Sequence, residues 1–223
     1  MYDIDKSFDY ENGFYLSCNS QRISKFVAHY ELFKKTLNLA GDIAEFGVFK
    51  GASLSRFALL RELFCVPLSK KIIGFDVFGE FPETEFTADQ KARNNFITTA
   101  GFTGIEKEQL ERSLELRGLN QNLELIKGDI IETLPEWVEK NPQARFSLVN
   151  LDTDIYEPAV VILENIWPRL VTGGVLLLDD YGVFPGETAA VDEFFKELNV
   201  TIQKLPHGKS PSFIIKGENV NGK

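Results

Sequence analysis

The sequence is poor in the residues that build disulfide frameworks and soft-metal sites. It contains two cysteines, Cys18 and Cys65, and two histidines, His29 and His207. The cysteines lie far apart and form no CxxC or zinc-ligand spacing, so a disulfide framework or a zinc centre has little support. We expect a protein of a reducing compartment, the cytoplasm, and we expect both histidines to be structural or solvent-facing.

Positive charge and long apolar runs are also scarce. Lys and Arg total 24 against 33 Asp and Glu, a net charge of −9, which opposes non-specific attraction to nucleic acid or anionic lipid. No uninterrupted apolar run approaches the roughly 18 residues of a membrane span, and residues 1–6 lack the apolar core of a signal peptide. We therefore expect no nucleic-acid partner and no membrane association.

Apolar strands alternate with helical segments from residue 41 onward. Five short runs are predicted strands: 43–47, 71–76, 123–127, 146–152 and 175–179. Near-continuous apolar strands separated by helices indicate a parallel sheet covered on both faces. After a helix over residues 188–198, the segments 200–204 and 212–216 flank a turn-rich stretch, which predicts an antiparallel hairpin. The expected fold is α/β, a doubly wound, seven-stranded, Rossmann-like sheet that ends in this hairpin.

The first 40 residues differ from the rest. Residues 1–19 mix aromatic and acidic side chains without a clean period. Residues 20–39 carry an apolar stripe typical of an amphipathic helix, formed by Ile23, Phe26, Val27, Tyr30, Phe33 and Leu37. We expect one domain over residues 41–223, preceded by an arm and helix over residues 1–40 that act as a lid or an oligomer contact. Residues 79–104 are predicted to form an insertion over the active-site edge.

Three aspartates lie at the ends of two predicted strands. Asp152 ends one strand, and the pair Asp179 and Asp180 ends the next. Because the carboxyl ends of neighbouring parallel strands lie about 5 Å apart, we expect these side chains to meet. Such carboxylates need a cation or a shared proton, and all-oxygen ligation favours Mg²⁺. Helix capping explains a lone strand-end aspartate but not a consecutive pair. Asp154 stays outside the predicted metal set, since it is equally placed to cap a helix near Glu157.

A ligand pocket is predicted at the same edge of the sheet. Gly47 and Gly51, between the first strand and its helix, let the backbone approach a ligand closely. Phe49 stands where a GxGxxG motif has glycine, which disfavours NAD or FAD. Asp76 can accept hydrogen bonds from ribose hydroxyls, and Asp129 can meet an adenine amino group. Asp76 alone is equally well explained as a cap or turn residue, and Asp129 alone is better explained as a helix cap, because it precedes a helical segment. Together they indicate an adenosyl ligand without a diphosphate.

Five blocks of the chain resemble the macrocin O-methyltransferase family: 41–51, 75–78, 127–129, 151–157 and 173–182. Its members are class I, S-adenosylmethionine-dependent sugar O-methyltransferases, and the likeness covers about residues 41–198 with the blocks in the right order. The resemblance implies Mg²⁺-dependent transfer of the sulfonium methyl group to a sugar hydroxyl. It also implies association into dimers or larger homo-oligomers.

The resemblance also implies a role for each matched residue. Asp152, Asp179 and Asp180 would hold the metal, and Asp152 would take the hydroxyl proton. The residues implied for S-adenosylmethionine binding are Glu45, Phe46, Gly47, Gly51, Ser53, Asp76, Val77, Phe78, Gly128, Asp129, Ile130 and Asp152.

The acceptor is left open by two departures from the family pattern. The amino-terminal region is short for the family, and Gly79-Glu80 reverses the usual order of acid and glycine after the second strand. Two alternatives to a sugar acceptor therefore stand. One is an O-methyltransferase of a catechol-like or other small diol, and the other is a non-catalytic nucleoside-binding module.

Overall fold

Residues 3–217 are described by a computed structural model of the chain. Within that range seven strands form one sheet and alternate with eight α-helices. Met1, Tyr2 and residues 218–223, which belong to the predicted arm and domain, lie outside the described residues. Over residues 3–217, none of the helices has both the length and the apolar character needed to cross a bilayer.

The elements follow one another in a regular α/β succession. The strands are β1 Asp42–Phe46, β2 Ile72–Asp76, β3 Leu123–Lys127, β4 Phe146–Leu151, β5 Leu170–Leu178, β6 Gln203–Lys204 and β7 Ser212–Ile215. The helices are α1 Ser7–Ser17, α2 Ser20–Lys35, α3 Ala52–Phe64, α4 Thr87–Ala100, α5 Lys107–Leu116, α6 Ile130–Lys140, α7 Tyr156–Ile166 and α8 Pro185–Phe195. Each predicted strand is present, with its ends shifted by up to several residues.

The strand order is β3-β2-β1-β4-β5-β7-β6, and the first five strands are parallel. Strand β7 runs antiparallel to both β5 and β6, which confirms the predicted doubly wound sheet with a terminal hairpin. Phe46 pairs with Leu151, and Leu151 pairs with Leu178, so β1, β4 and β5 end at one level. Strand order reverses between β1 and β4, where open parallel sheets bind ligands.

Helices cover both faces of the sheet because successive strand residues point to opposite sides. On one face Ala44 packs in a cluster with Leu134 of α6 and Ile162 of α7. On the other face Ile43 packs in a second cluster with Phe57 of α3. Burying one such side chain fully contributes about 2 kcal/mol. This double cover explains why the strands are apolar throughout and leaves their carboxyl ends as the place for a ligand.

The helix predicted over residues 20–39 is confirmed as α2, and the predicted stripe agrees with its packed face except at Phe26. Phe33 is fully buried, and Tyr30 and Leu37 pack against the same core cluster, whereas Phe26 is 45% exposed. Ser24, Ala28, His29 and Leu32 are also buried. Contact with α3 and with the hairpin decides the packed face, because polar side chains find partners there: Ser24 Oγ donates to His207 O at 2.8 Å. In α1, by contrast, none of residues 7–17 is buried.

The predicted insertion over residues 79–104 contains α4. The carboxylate of Asp89 fixes this helix to α7 and α8. Asp89 is fully buried and accepts hydrogen bonds from Tyr156 N at 3.0 Å and from Gly186 N at 2.7 Å. These two N–H groups lie at the starts of α7 and α8. A Cβ at Gly186 would lie 1.8 Å from Asp89 Oδ2, so only glycine permits this contact.

Candidate active site

A cavity of about 720 Å³ opens at the carboxyl ends of the parallel strands. Its volume lies within the usual range for small-molecule sites, and it includes the β1–β4 reversal. Nine of the residues predicted from sequence line it: Gly47, Ser53, Asp76, Val77, Asp129, Ile130, Asp152, Asp179 and Asp180. The structure therefore brings the predicted donor and metal residues to one cavity.

The other predicted donor residues, Glu45, Phe46, Gly51, Phe78 and Gly128, lie outside the lining of this cavity. Phe46 has no exposed surface and stacks on Phe75 with ring centroids 4.9 Å apart. Gly51 faces Leu110, which a Cβ would approach to 2.9 Å. These residues support the wall from behind, and their contact with S-adenosylmethionine stays a prediction.

The three predicted metal ligands converge. The N–H of Asp152 donates to Phe46 O, and the N–H of Asp179 donates to Leu151 O, both at 2.9 Å. The parallel ladder thus runs one residue past β4 and β5. Carboxylate oxygens of Asp152, Asp179 and Asp180 lie within 4.8 Å of one another. The geometry agrees with the sequence-based expectation, and metal binding by the three residues stays a prediction.

Two oxygens of this triad have no hydrogen-bond partner among residues 3–217. They are Asp179 Oδ1 and Asp180 Oδ2, and both are buried. A buried carboxylate oxygen without a partner costs free energy. Three carboxylates without nitrogen or sulfur are a ligand set that suits Mg²⁺. The residues present therefore fit the divalent cation that the family implies.

A lysine from α2 reaches the same carboxylates. Lys25 Nζ lies 2.5 Å from Asp179 Oδ2 and 3.4 Å from Asp152 Oδ2. Burial alone disfavours the ammonium charge, but attraction by Asp152, Asp179 and Asp180 outweighs it and raises the pKa of Lys25. Sequence reasoning missed this residue. The signal was its place four residues before His29, on the face of α2 that is buried.

Two further acids lie beside the triad. Asp154 has a left-handed φ of 65° and shares a side-chain hydrogen bond with Asp180, and burial raises its pKa to about 7. Glu187 accepts a hydrogen bond from Asp180 N at 3.0 Å, and burial raises its pKa as well. Asp154 does not cap α7, since the first N–H of that helix, Tyr156 N, donates to Asp89. Asp154 instead lines the cavity next to the predicted metal ligands.

Glu45 lies beneath the cavity, on the strand between the two halves of the site. It has no exposed surface and accepts hydrogen bonds from Ser53 Oγ and Asn150 Nδ2. Burial raises the pKa of Glu45 to about 8, although the Ser53 hydrogen bond and the charge of Lys25 act in the opposite direction. Burial therefore favours the protonated carboxyl over the carboxylate at this position.

Asp76 holds the backbone at the β2 end of the cavity. Its Oδ2 accepts from Val48 N at 2.7 Å and Phe49 N at 2.9 Å, and its Oδ1 accepts from Phe78 N at 2.6 Å. Phe49 and Phe78 each have a φ of 48°, a conformation that residues other than glycine rarely adopt. The carboxylate thus stabilises two strained turns with three of its roughly four acceptor positions, and its predicted contact with a ribose stays a prediction.

Asp129 shows the capping role that the sequence left open. It precedes α6, and its Oδ1 accepts from Ile131 N at 2.9 Å. The side chain is exposed and also lines the cavity. Asp129 therefore caps a helix while remaining accessible to a ligand, and its predicted contact with adenine stays a prediction.

Aromatic side chains close the side of the cavity next to α4. The Phe96 ring lies 5.4 Å from the Phe49 ring, 5.6 Å from Phe81 and 6.1 Å from Phe184, measured between centroids. These four rings, which we call the aromatic wall, all line the cavity. The sequence indicated only that residues 79–104 are rich in Phe and Glu, so this cluster could not be predicted.

Glu157 anchors the chain that carries the aromatic wall. Its Oε1 accepts from Glu85 N at 2.8 Å and Phe86 N at 3.0 Å, and its Oε2 accepts from Thr84 Oγ1 at 3.0 Å. Together with Asp89, Glu157 ties the insertion to the start of α7. Two carboxylates therefore hold the side of the cavity next to α4: the buried Asp89 of the insertion and the half-buried Glu157 of α7.

The histidines lie outside the cavity lining, as expected. His29 is buried, stacks on Phe57 with centroids 4.8 Å apart, and places its Nδ1 3.1 Å from a nitrogen of Arg56. His207 Nδ1 lies 3.3 Å from Ser24 Oγ at the hairpin. Both contacts join structural elements, so the histidines have structural roles here.

The fold and the cavity define a class I methyltransferase. A structure of the calicheamicin methyltransferase CalS11 superposes with a TM-score of 0.77 at 26% identity, covering 93% of this chain and 84% of that one. A second structure of CalS11, described as a TDP-rhamnose 3'-O-methyltransferase of calicheamicin biosynthesis, gives 0.69 at 27% identity with 95% and 87% coverage. The O-methyltransferase NovP, at 20% identity, shows the same fold with a TM-score of 0.76, covering 88% of this chain and 81% of that one.

The chain belongs to the family described as Macrocin-O-methyltransferase (TylF), whose model it matches over residues 15–205. The resemblance inferred from the sequence is thereby confirmed. A Streptomyces olivaceus relative, 8-demethyl-8-(2,3-dimethoxy-alpha-L-rhamnosyl)-tetracenomycin-C 4'-O-methyltransferase, is 30% identical over 148 residues, which are 64% of this chain and 54% of the relative. Demethyldecarbamoylnovobiocin O-methyltransferase of Streptomyces niveus is 25% identical over 175 residues, 73% of this chain and 61% of the relative. The chain thus spans little more than half the length of these two relatives.

Proposed function

We propose that the protein transfers the sulfonium methyl group of S-adenosylmethionine to a hydroxyl of a sugar or sugar-containing metabolite, in a Mg²⁺-dependent reaction. The observation that carries the proposal is the convergence of Asp152, Asp179 and Asp180 at one side of a cavity that can hold a small molecule. Membership of the family supports the donor. The names of two relatives contain rhamnose, which supports a sugar acceptor for this chain.

The metal is proposed to bind the acidic triad, since Asp179 Oδ1 and Asp180 Oδ2 are buried without partners. A magnesium ion held there lowers the pKa of a coordinated hydroxyl and fixes the position of its oxygen. Glu187 accepts a hydrogen bond from the backbone N–H of Asp180 and so holds the chain at this residue, and Asp154 lies next to the Asp180 side chain. These two buried acids are proposed to support the triad.

Asp152 is the residue proposed to take the proton. Its side chain is 21% exposed and lines the cavity. Without a metal ion, desolvation and then the charge of Asp179 raise the pKa of Asp152 well above its usual range. The proposed role of general base depends on the position of this carboxylate at the cavity. As the hydroxyl oxygen bonds to the methyl carbon, the carbon–sulfur bond breaks and its electron pair stays on sulfur. S-adenosylhomocysteine then leaves, and the hydroxyl proton goes to Asp152.

The donor is proposed to lie along the β1, β2 and β3 ends of the cavity, against Gly47, Val77 and Ile130. At Gly47 the β1 and β4 chains approach so closely that a Cβ would lie 1.8 Å from Asp152 O. This contact fixes the general base relative to the donor side of the cavity. The aromatic wall excludes water from the other side, which aids orientation of donor and acceptor for an in-line transfer.

A catechol-like diol is the second candidate acceptor, and the aromatic wall favours it. Rings such as Phe96 and Phe184 can stack on an aromatic acceptor as well as on the apolar part of a glycosylated metabolite. Both acceptor types offer two adjacent oxygens to a divalent cation. Measured turnover of sugar and catechol-like acceptors distinguishes the two candidates.

The test is turnover with isotopically labelled donor and Mg²⁺ over a panel of nucleotide sugars, glycosylated metabolites and catechols. We expect label in a sugar ether, and loss of turnover in EDTA that returns with added Mg²⁺. Calorimetric titration with S-adenosylhomocysteine should show one site. Label only in catechols would select the second candidate, while turnover unchanged in EDTA would remove the metal from the proposal. Binding of S-adenosylhomocysteine without turnover on any acceptor would favour the non-catalytic nucleoside-binding module.

We also propose a homo-oligomer with α1 as a contact. The helix exposes large apolar side chains, including Phe8 at 74%, Tyr15 at 64% and Leu16 at 89%. A helix of 11 residues is marginal in water without packing, so a second subunit would stabilise it. Sedimentation equilibrium of the full chain tests this, and a monomer at micromolar concentration would contradict it.

A further inference from the structure

We propose that Lys25 and a divalent cation compete for the carboxylates of Asp152 and Asp179, so that Lys25 sets how tightly the site holds metal. The inference deepens the proposed function and rests on its metal-binding part. It concerns a residue of the amino-terminal helix α2, outside the five sequence blocks that carry the family resemblance.

The distances place the ammonium where a metal ion would bind. Lys25 Nζ bridges Asp179 Oδ2 at 2.5 Å and Asp152 Oδ2 at 3.4 Å. A magnesium ion lies about 2.1 Å from each ligand oxygen. An ion shared by Asp152 and Asp179 would therefore lie within a few ångströms of Nζ, where two cations repel strongly in partly buried surroundings.

Lys25 is also the partner that neutralises the triad in the absence of metal. Over residues 3–217, the ion pairs of Asp152 and Asp179 are with Lys25. Arg56, whose charge also interacts with Asp179 and Asp152, places a guanidinium nitrogen 3.1 Å from His29 Nδ1. Lys25 thus compensates carboxylates that would otherwise repel one another, and a divalent cation would supply the same compensation with twice the charge.

The side chain can leave without the helix moving. Ser24, the neighbour of Lys25, anchors α2 by donating from Oγ to His207 O at 2.8 Å, and Leu32 and Phe33 are fully buried farther along the helix. The lysine side chain has a flexible four-carbon stem, and it is 26% exposed toward the cavity. Exchange between ammonium and metal therefore needs a side-chain rotation only.

The experiment is a Mn²⁺ titration of the full chain, followed by electron paramagnetic resonance without donor or acceptor. We compare the unaltered protein with Lys25→Met, Lys25→Arg and Lys50→Met. Lys50 is the matched control, since it lines the same cavity but donates to the carbonyl of Ala100 rather than to a carboxylate. We expect Lys25→Met to bind Mn²⁺ at least about tenfold more tightly, and the other two variants to match the unaltered protein.

A second measurement uses the unaltered protein and does not depend on the folding of a variant. An amine-reactive reagent is applied with and without saturating Mg²⁺, and modified lysines are quantified by mass spectrometry. Release of Lys25 from its carboxylates should raise its modification rate several-fold, because Nζ no longer lies between Asp152 and Asp179 and becomes accessible to the reagent. Lys50 serves as the internal reference and should not change.

Three results would overturn the inference. Equal or weaker Mn²⁺ binding by folded Lys25→Met would mean that Lys25 organises the ligands instead of competing with the metal. An unchanged Lys25 modification rate at saturating Mg²⁺ would mean that ammonium and metal bind together. Absence of Mn²⁺ binding to every variant would remove this inference and the metal from the proposed function. A failed acceptor panel, by contrast, would leave the Mn²⁺ comparison intact.

Discussion

The two ends of the cavity both present aspartates at the ends of parallel strands, yet these aspartates differ in how their oxygens are used. On the donor side, Asp76 accepts three backbone N–H groups with its two oxygens. On the acceptor side, Asp179 and Asp180 each keep one buried oxygen without a partner among the described residues. The first aspartate maintains the shape of the protein, whereas the pair requires something that the chain does not supply. Buried carboxylate oxygens without hydrogen-bond partners, more than acidity, mark the end of the cavity that is proposed to hold the metal ion.

Removing an acid from the acceptor side is expected to have the largest effect on activity. Asp179→Ala should lower methyl transfer roughly a thousandfold, because a metal ligand supplies several kcal/mol to the transition state. The affinity for S-adenosylhomocysteine should change little, as measured by calorimetry. Glu197→Ala, an exposed acid of the carboxyl-terminal part, is the control and should be fully active. Retained turnover in Asp179→Ala would contradict the metal site.

Removing the acid on the donor side should chiefly reduce stability. Asp76→Ala leaves the N–H groups of Val48, Phe49 and Phe78 without their acceptor, so we expect the free energy of unfolding to fall by about 3 kcal/mol. Urea denaturation measures the change. Asp129→Ala is the matched control, since that exposed carboxylate accepts one helix-capping bond, and it should cost about 1 kcal/mol. Equal losses in the two variants would contradict the difference between Asp76, which accepts three backbone hydrogen bonds, and the accessible Asp129.

Glu45, between the two sides, is expected to give a stability that depends on pH. Its pKa is about 8 in the folded protein against an ordinary value of 4.5. Between these values the folded state keeps a proton that the unfolded state releases, so this group makes stability fall as pH rises. Glu45→Gln removes that contribution.

The variant should therefore gain stability relative to the unaltered protein by roughly 1 kcal/mol per pH unit between about pH 5 and pH 8. Urea denaturation over this range provides the measurement. Glu124→Gln, which removes a half-buried ion pair with Lys71, is the control. A stability difference for Glu45→Gln that does not change with pH would show that the carboxyl is ionised throughout.

The smallest effect is expected where a carboxylate holds the insertion. Glu157→Gln weakens the bonds to Thr84, Glu85 N and Phe86 N, at a cost of about 1 kcal/mol. Opening of residues 79–104 should then increase about fivefold, seen as faster limited proteolysis within that segment. Glu85→Gln leaves those bonds in place and should be cleaved at the original rate. No acceleration in Glu157→Gln would show that the aromatic wall is held by other contacts.

Most of the sheet could be predicted from the sequence because its signals are local. Apolar runs such as 146–152 and 175–179 define strands, and the glycines and acids that follow them define where the strands end. The meeting of Asp152 with Asp179 then follows from parallel neighbours alone. The burial of Ser24 and His29 on α2 could not be predicted, because contacts with distant residues such as His207 decide it.

The parts of the site that sequence reasoning missed depend on long-range contacts. Lys25 reaches Asp179 across 154 positions in the chain, and no spacing rule links them. The role of Asp76 in holding the Phe49 turn could not be predicted either, since the residues around it support a ligand contact and a turn equally. The aromatic wall requires Phe49 and Phe184 to meet Phe96 from separate segments, and only the tertiary fold brings them together.

The two hydrogen bonds that Asp89 accepts from the starts of α7 and α8 give the insertion a fixed base for redesign of the protein. Asp89 and Glu157 fix the amino-terminal half of the insertion, and residues 102–104 pair with residues 79–81, so the segment between Asp89 and Phe102 is attached at both of its ends. A corresponding segment from a relative could be transplanted between these attachment points, which would change the lining of the cavity next to α4 and leave the strand ends in place.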